Sequence, residues 1–541
     1  MAGFAKHPLS SFKLLAITLL LVKAPWAWTD LYTPAHNHFY AVGYTIVFWM
    51  TIMCFGIIPF LGNAYIRILL VSLIIPAYAV DQMFFDITGT HLDLSMVRLV
   101  WLERHSGFDG LSWYMMYFVR NCLWVFGVAI ILALPPAPTW ALRLRWSSIP
   151  LVALAIISII IPYTIGGTQY FPPPFSLPIM FAMTASTNLH TNTLAEVEYD
   201  GPIKPPARHI VFIVDESVRG DVLEINEPLA HNTPFLASHK DELINFGVAV
   251  SGSNCSFLSR TMLKFGFRSD HFQESDLGRG LTSLKRPIGP PIWKYARQAG
   301  YRTIMINGWA EEKTSIALEL PSIEYFSEID DPPYMRDGLI AERLLQLLKE
   351  DVPSFIYVNK FGAHFPYEAA FPPDYDKSRV SLEGNYHVDA DSRAALLRAY
   401  NNAVRWSVGG FFEKLFTRLD KTSVFVIYTS DHGQSLMEGG QIMTHCSTKN
   451  TQVGESLVPL IVSTGIQDLA VRVRKSATQG YGRATHFEIF PTLLLAMGYD
   501  EQWVRERYGP SLLDIPANRH RQFIFTNSFD LFETFKWLQV D

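Results

Sequence analysis

Hydrophobic positions are unevenly distributed along this chain. Before residue 167 they gather into five nearly uncharged stretches, Leu14 to Trp28, Phe39 to Leu61, Ala64 to Val80, Trp113 to Leu134 and Ser148 to Pro162. Several approach the ~20 residues that an α-helix needs to cross ~30 Å of hydrocarbon. The pattern predicts a five-span α-helical membrane domain over residues 1–166. The first stretch is short and contains Lys23, so a cleaved signal peptide is the alternative; no small-x-small cleavage site follows it, and four more stretches do. Arg67 and Arg120 fall within the third and fourth, where a long cationic side chain either snorkels or faces a polar bundle interior. Lys6 and Lys13 precede the first span, Arg143 and Arg145 lie between the fourth and fifth, and Thr29 to His38 carries neither Lys nor Arg. That asymmetry puts the N-terminus in the cytoplasm and, with an odd number of spans, everything after the fifth outside. Arg98 and Arg104, in the Ile87 to Leu111 connection, run against this bias.

Residues 167–208 read as a linker: Phe171-Pro172-Pro173-Pro174, an apolar stretch around Ile179 to Met183 suited to an interfacial helix, then Pro205-Pro206. From residue 209 to 541 the rhythm changes. Short β-branched runs (His209 to Val214, Thr303 to Ile306, Ser354 to Val358, Ser423 to Tyr428, Leu460 to Ser463) alternate with helical patterns at Pro291 to Gln298, Asp337 to Leu348 and Ala394 to Leu419. This alternation predicts an α/β domain with a mostly parallel central sheet, whose chemistry belongs at the carboxyl ends of the strands.

Composition narrows the class further. With 49% hydrophobic and 18% charged residues and a net charge of -5, the chain is neither disordered nor held to nucleic acid by its overall field, so no nucleic-acid partner is expected. Its four cysteines are too few for a disulfide scaffold and match no cysteine-based zinc module, so a metal here would use oxygen and nitrogen ligands.

Two predicted strands end in such ligands: HIVFIVDES in Asp215-Glu216-Ser217, and SVFVIYTSDHG in Asp431-His432-Gly433. Either motif alone is more commonly a cap or a turn. Together they can meet over one cation, and carboxylate plus imidazole suits Zn²⁺ or Mn²⁺ better than Ca²⁺. Between them, Ser253-Asn254-Cys255-Ser256-Phe257-Leu258-Ser259-Arg260 is a small polar turn entering an apolar helical run. Such a helix start offers free N–H groups to a phosphate or sulfate; a plain serine cap is the alternative.

In these stretches the chain resembles the sulfatase and alkaline phosphatase superfamily, with Ser256 at the nucleophile position of a Cys/Ser-x-Pro-Ser-Arg motif, Ser259-Arg260 matching it and Leu258 replacing its proline. Within that superfamily it is similar to the membrane phosphoethanolamine transferases, including those that act on lipid A. Glu216-Ser217-Val218-Arg219-Gly220-Asp221 with Thr233-Pro234-Phe235-Leu236, Gly362-Ala363-His364-Phe365-Pro366-Tyr367, Ser430-Asp431-His432-Gly433-Gln434-Ser435, His445 and the closing His486 to Met497 segment follow that family's order. The likeness runs from about His209 to Met497. Ser256 stands where those enzymes have threonine and Gln434 where they have glutamate, and the several disulfides of the lipid A-modifying members are missing. Cys255 is one place out of register for formylglycine, which makes sulfate hydrolysis the poorer expectation.

The resemblance implies an inner-membrane enzyme with a periplasmic catalytic domain. Phosphatidylethanolamine would be the donor, and a lipid or glycan such as lipid A or core sugar the acceptor. A Zn²⁺ (or Mn²⁺) on Glu216, Asp431 and His432, with Ser256 as fourth ligand, would bring the serine hydroxyl toward its alkoxide and polarise a phosphoryl oxygen. His364 and His445 would serve as acid or base, neutralise phosphate or hold a second cation. Trp309 and Lys313 are candidates for touching the head group. Because Cys255 and Cys446 adjoin Ser256 and His445, a disulfide between them is expected if both neighbours face one site. A phosphoglycerol transferase or a hydrolase of the same superfamily is the alternative; a non-enzymatic lipid-binding regulator would have lost the ligand set that is intact here.

Overall fold

The computed structural model describes residues 8–23, 56–88, 115–142, 173–186, 194–268, 289–309, 319–329, 331–375, 390–440, 444–447, 450–516, 519–525 and 536–540, with a few isolated positions besides. The chain forms two compact units, one within residues 1–190 and one from Thr191 onward.

The first unit contains α1 (Pro8–Lys23), α2 (Ala64–Thr88), α3 (Met115–Ala133) and α4 (Pro173–Ser186). Of the five expected spans, the third and fourth fall on α2 and α3 and the first on most of α1. The second is described only near its end, at the 3₁₀ turn Ile58–Phe60, and the fifth lies outside the described residues. Among the described residues one helix, Ala64–Phe85, is long and apolar enough to cross a bilayer. Apolar contacts involving Ile17, Leu20, Ile74, Ile75, Val125 and Val128 hold α1, α2 and α3 together. Buried cations tie their ends. Lys13 donates to the carbonyls of Pro59 (2.9 Å) and Leu132 (2.6 Å), and Arg67 to those of Leu61 and Ala133. Carbonyls at a helix end lack intrahelical donors, and these side chains supply them. α4 occupies the stretch expected to lie in the interface.

The second unit is built on seven strands: β1 (His209–Asp215), β2 (Ile244–Val250), β3 (Arg302–Asn307), β4 (Tyr325–Glu328), β5 (Ser354–Asn359), β6 (Val424–Ser430) and β7 (Leu457–Thr464). Their order is β2-β7-β6-β1-β5-β3-β4. The run from β6 to β4 is parallel, whereas β7 pairs antiparallel with both β6 and β2. The sheet is therefore mixed but mostly parallel, as expected: β7 alone runs against the other strands of this sheet. Successive side chains of a strand point to opposite faces. Val211 and Ile213 enter one core with Ile356, Val358 and Val426, while Ile210, Phe212 and Val214 enter the other with Phe355, Tyr357 and Ile427. Both faces are apolar because helices cover both, among them α5 (Ser256–Phe265), α6 (Ile292–Gln298), α7 (Pro333–Leu347), α8 (Ala390–Ala403) and α9 (Gly410–Phe416). The single helix expected over Ala394 to Leu419 is interrupted by a π-helical turn at Val404–Gly409. There the Ser407 carbonyl accepts a hydrogen bond from buried Lys360, a contact that competes with regular helical pairing. β2 and β4 were not expected: the first is broken by Gly247 at φ 77°, and the second is four residues long.

At the start of β1, His209 is buried, its Nδ1 without a hydrogen-bond partner. Burial, with Arg208 and Arg302 nearby, lowers its pKa to about 4. A proton therefore binds the unfolded chain more tightly, so stability present above pH ~6.5 is lost as pH falls toward 4. Between pH 7 and pH 5 this amounts to about 1–2 kcal/mol. In urea titrations at the two pH values, His209→Asn is expected to show a shallower pH dependence than the wild type by that amount.

Candidate functional site

The parallel register places the ligands. Asp215 pairs with Ser430 across β1 and β6, so the next residues, Glu216 and Asp431, leave the sheet side by side. On the other flank Val214 pairs with Asn359 and Asn359 with Asn307, which brings the loops carrying His364 and Trp309 alongside.

The turn after β1 depends on a close approach. Gly362 has φ 69°, and a Cβ there would stand 2.4 Å from the Glu216 carbonyl oxygen and 2.5 Å from Asp215 Oδ1. Beneath it Asp215 is fully buried and accepts hydrogen bonds from Lys360 (2.5 Å) and Tyr428 (2.7 Å). Asp337 receives the amides of Phe361 and Gly362. The first carboxylate of the Asp215-Glu216 pair is thus engaged in holding loops together, and the second faces the site.

Ser256 is the first residue of α5, and Arg260, one turn on, shares its face. Arg260 contacts Glu216 Oε2 and, at 3.1 Å, Asp431 Oδ2. The other carboxylate oxygens remain for the cluster. Ser256 Oγ lies 2.9 Å from His432 Nε2 and 3.4 Å from Glu216 Oε1; His432 Nε2 lies 3.4 Å from Glu216 Oε1 and 3.8 Å from Asp431 Oδ1. His432 Nδ1 donates to the Gly433 carbonyl (2.7 Å), which turns Nε2 inward. Ligands at ~2 Å around a tetrahedral zinc stand about 3.3 Å apart, close to these separations. Ligand atoms of Glu216, Asp431 and His432 fall within 4.8 Å of one another, and all three residues are buried.

The electrostatics agree with a cation-holding cluster. Burial alone would raise the Glu216 carboxyl, but Arg260 and His432 hold it well below its usual range. Burial would lower His432, yet the Asp431 and Glu216 carboxylates bring it up to about 9. Surroundings that draw a proton onto a buried imidazole will also draw a metal ion. His445 stacks on His432 with ring centroids 4.4 Å apart, and His364 lies 5.7 Å from His445. Burial lowers both pKa values, keeping the two rings neutral. Gln434 Oε1 lies 3.4 Å from His445 Nδ1.

The structure therefore brings together Glu216, Ser256, His364, Asp431, His432 and His445. Trp309 stands edge-on to His364 at 4.8 Å; Lys313 lies outside the described residues. Cys255 and Cys446 form a disulfide, and a bonded Cys255 cannot be the source of a formylglycine. Arg260 brackets both carboxylates, a role for which its i, i+4 spacing from Ser256 is the one signal in the sequence. The buried Asp215–Lys360 pair leaves no such signal, because nothing local marks a lysine at the end of a strand as buried.

A sulfatase family model matches residues 208–499, more than half of the chain, and the chain belongs to the sulfatase family. Among named relatives, the Kdo(2)-lipid A phosphoethanolamine 7''-transferase of Salmonella typhimurium is 22% identical over 333 residues, 58% of this chain and 56% of that protein. The phosphoethanolamine transferase OpgE of Escherichia coli is 22% identical over 280 residues, 51% of this chain and 48% of that one. The chain thus spans about half the length of the curated relatives it matches. The integral membrane lipooligosaccharide phosphoethanolamine transferase A of Neisseria meningitidis superposes with a TM-score of 0.62 at 16% identity, covering 91% of this chain and 95% of that one. The two share a fold.

Gly362→Ala is expected to destabilise the second unit by about 2–4 kcal/mol, since it adds a backbone clash to a left-handed conformation. Gly482→Ala, also at positive φ but with no neighbour within 4 Å of the added Cβ, should lose only about 1 kcal/mol. Thermal unfolding of both variants measures the difference.

Proposed function

We propose that this protein transfers phosphoethanolamine from phosphatidylethanolamine to a lipid or glycan of the bacterial cell envelope, with Ser256 as the phosphate-accepting nucleophile. The observation that carries the reading is the approach of Glu216 and His432 to Ser256 Oγ, with Asp431 within 4.8 Å of those two ligand atoms, at the carboxyl end of the sheet. On this reading residues 1–166 are a five-span inner-membrane anchor, 167–208 a linker and 209–541 a periplasmic catalytic domain. Tethering would keep the catalytic domain within reach of a lipid donor.

Zinc fits the donor set best; when bound by Glu216, Asp431, His432 and Ser256 it would stabilise the serine alkoxide and polarise the phosphoryl oxygen. Ser256 Oγ attacks phosphorus in line, a P–O bond to Ser256 forms, and the bond to the diacylglycerol oxygen breaks. The proton that Ser256 gives up on attack passes to the leaving oxygen, which departs as diacylglycerol. The acceptor hydroxyl then attacks phosphorus, the P–O bond to Ser256 breaks, and the acceptor's proton passes to the Ser256 oxygen to restore the hydroxyl. His445 suits the role of base: its Nδ1 is engaged by Thr444 Oγ1 (3.1 Å) and Gln434 Oε1 (3.4 Å), and with Nδ1 donating to these oxygens the Nε2 lone pair of the neutral ring is left to take that proton. His364, also neutral, stands close enough to share the work or to bind the phosphate. Arg260, one turn into α5, holds the two ligand carboxylates in place while charge develops at the helix N-terminus.

Incubation of the wild type with phosphatidylethanolamine should leave a phosphoethanolamine group on the peptide containing Ser256, detectable by intact-mass and peptide mass spectrometry. Ser256→Ala should retain the metal, form no adduct and lose at least about 10³-fold in turnover. Turnover by Ser256→Ala near the wild-type rate would sink the nucleophile assignment. Chelation should abolish adduct formation, and added zinc should restore it.

A further inference from the structure

His445 sits on neither a helix nor a strand. Residues 444–447 around it form no helix or strand, so no regular ladder fixes its ring against His432. Ser256, by contrast, begins α5. The residue before it, Cys255, occupies the N-cap position, where Ser, Thr, Asp or Asn would ordinarily cap the helix, yet its side chain makes no cap hydrogen bond. That side chain is bonded to Cys446, 191 positions along the chain and directly after His445.

The disulfide does not act alone. The Cys446 amide donates to the Asn254 carbonyl (2.9 Å), and Asn254 Nδ2 donates to the Ser447 carbonyl (3.0 Å). Buried Glu455 accepts from both Asn254 Nδ2 (2.8 Å) and the Ser447 amide (3.2 Å). Residues 254–256 and 445–447 thus run side by side, joined by one covalent bond and by hydrogen bonds on its flanks. Cys446 itself holds φ 56°, a left-handed conformation that a non-glycine residue keeps only when its surroundings over-determine it. A helix cap was given up, and an unfavourable backbone angle retained, at the two positions adjoining the two reactive side chains.

We propose that the Cys255–Cys446 disulfide, with Asn254, is a positioning device. It sets the Ser256 hydroxyl and the His445 ring in register about His432, and it makes turnover depend on an oxidising compartment. Cys255, Cys446 and Asn254 are positioning residues, not catalytic ones. The inference rests on the proposed roles of Ser256 and His445. Transfer rates fall steeply with misplacement of a reacting group, reaching about 10²-fold for 1 Å, whereas Glu216, Asp431 and His432 are fixed by β1 and β6 and do not need the bond.

The test uses the full-length protein in detergent with a chromogenic phosphoethanolamine diester. A dithiol reductant supplies two electrons, cleaving the S–S bond to two thiols and itself becoming a cyclic disulfide. Reduced wild type and the Cys255→Ala/Cys446→Ala variant should lose about tenfold or more in kcat, with KM within about twofold and zinc content unchanged. Reoxidation should restore the wild type only. Hydrogen–deuterium exchange should rise after reduction in peptides spanning 254–258 and 444–447 and stay constant in those spanning β1 and β6. A double variant with wild-type kcat, or unchanged exchange in both segments, overturns the positioning role. Loss of zinc or of exchange protection throughout the sheet would also overturn it, by showing a structural staple instead. Exchange is read whether or not the diester is turned over. An inactive wild type without a Ser256 adduct would therefore count against the proposed function and leave the clamp to be judged on exchange.

Discussion

The site depends on compensating two buried carboxylates that the sheet forces together. Glu216 and Asp431 leave adjacent strands at adjacent register positions, where water cannot shield them from each other. Unpaired, such charges would neutralise by taking up protons or would push the strand ends apart. Arg260 takes one oxygen of each, and His432 lies within 4 Å of the others. Glu216 Oε1 and His432 Nε2 are left facing the Ser256 hydroxyl, with Asp431 Oδ1 beside them, as one polar patch. On the proposed reading a cation would occupy that patch and serve the Ser256 oxygen as well.

The rest of the domain can be understood as support for that patch. Gly362 lets the His364 loop lie on the Glu216 turn without a side chain between them, and the buried Lys360 engages Asp215 so that only one carboxylate of the Asp215-Glu216 pair faces inward. Ser259 donates to the Asp431 carbonyl and lies 3.1 Å from the buried His486 ring, so α5 is fastened to the end of β6 one turn beyond Ser256. The histidines further out, His364 and His445, are partly buried, and their desolvation lowers both pKa values and favours the neutral rings, which suits them to move a proton or bind phosphate near neutral pH.

Much of this was legible in the chain. Continuous β-branched runs marked β1, β5 and β6 as strands buried on both faces, and the residues just past the ends of β1 and β6 are the candidate ligands. The Ser256-x-x-Ser259-Arg260 spacing and the His364 and Asp431-His432 segments pointed to a phosphate-transferring site through a resemblance that the family match supports over residues 208–499. β2 and β4 escaped because an edge strand broken by glycine, or one only four residues long, has too little periodicity to stand out from a loop. The helix over Ala394 to Leu419 was read as continuous because the π turn answers to a tertiary contact, the Lys360 bond to Ser407, that leaves no trace in spacing.

The sequence by itself determined the division into an apolar first part and an α/β second part, along with the candidate ligands, since hydrophobic period and side-chain chemistry are local properties. Only the tertiary structure decided which ligands share a centre. Parallel register is set by packing on both faces of the sheet, and it alone makes Glu216 and Asp431 neighbours across 214 intervening residues. The edge where β7 turns antiparallel, the burial of Lys360 against Asp215, and the pairing of Cys255 with Cys446 were settled in the same way. Each depends on the distance between parts of the chain that the order of residues leaves free.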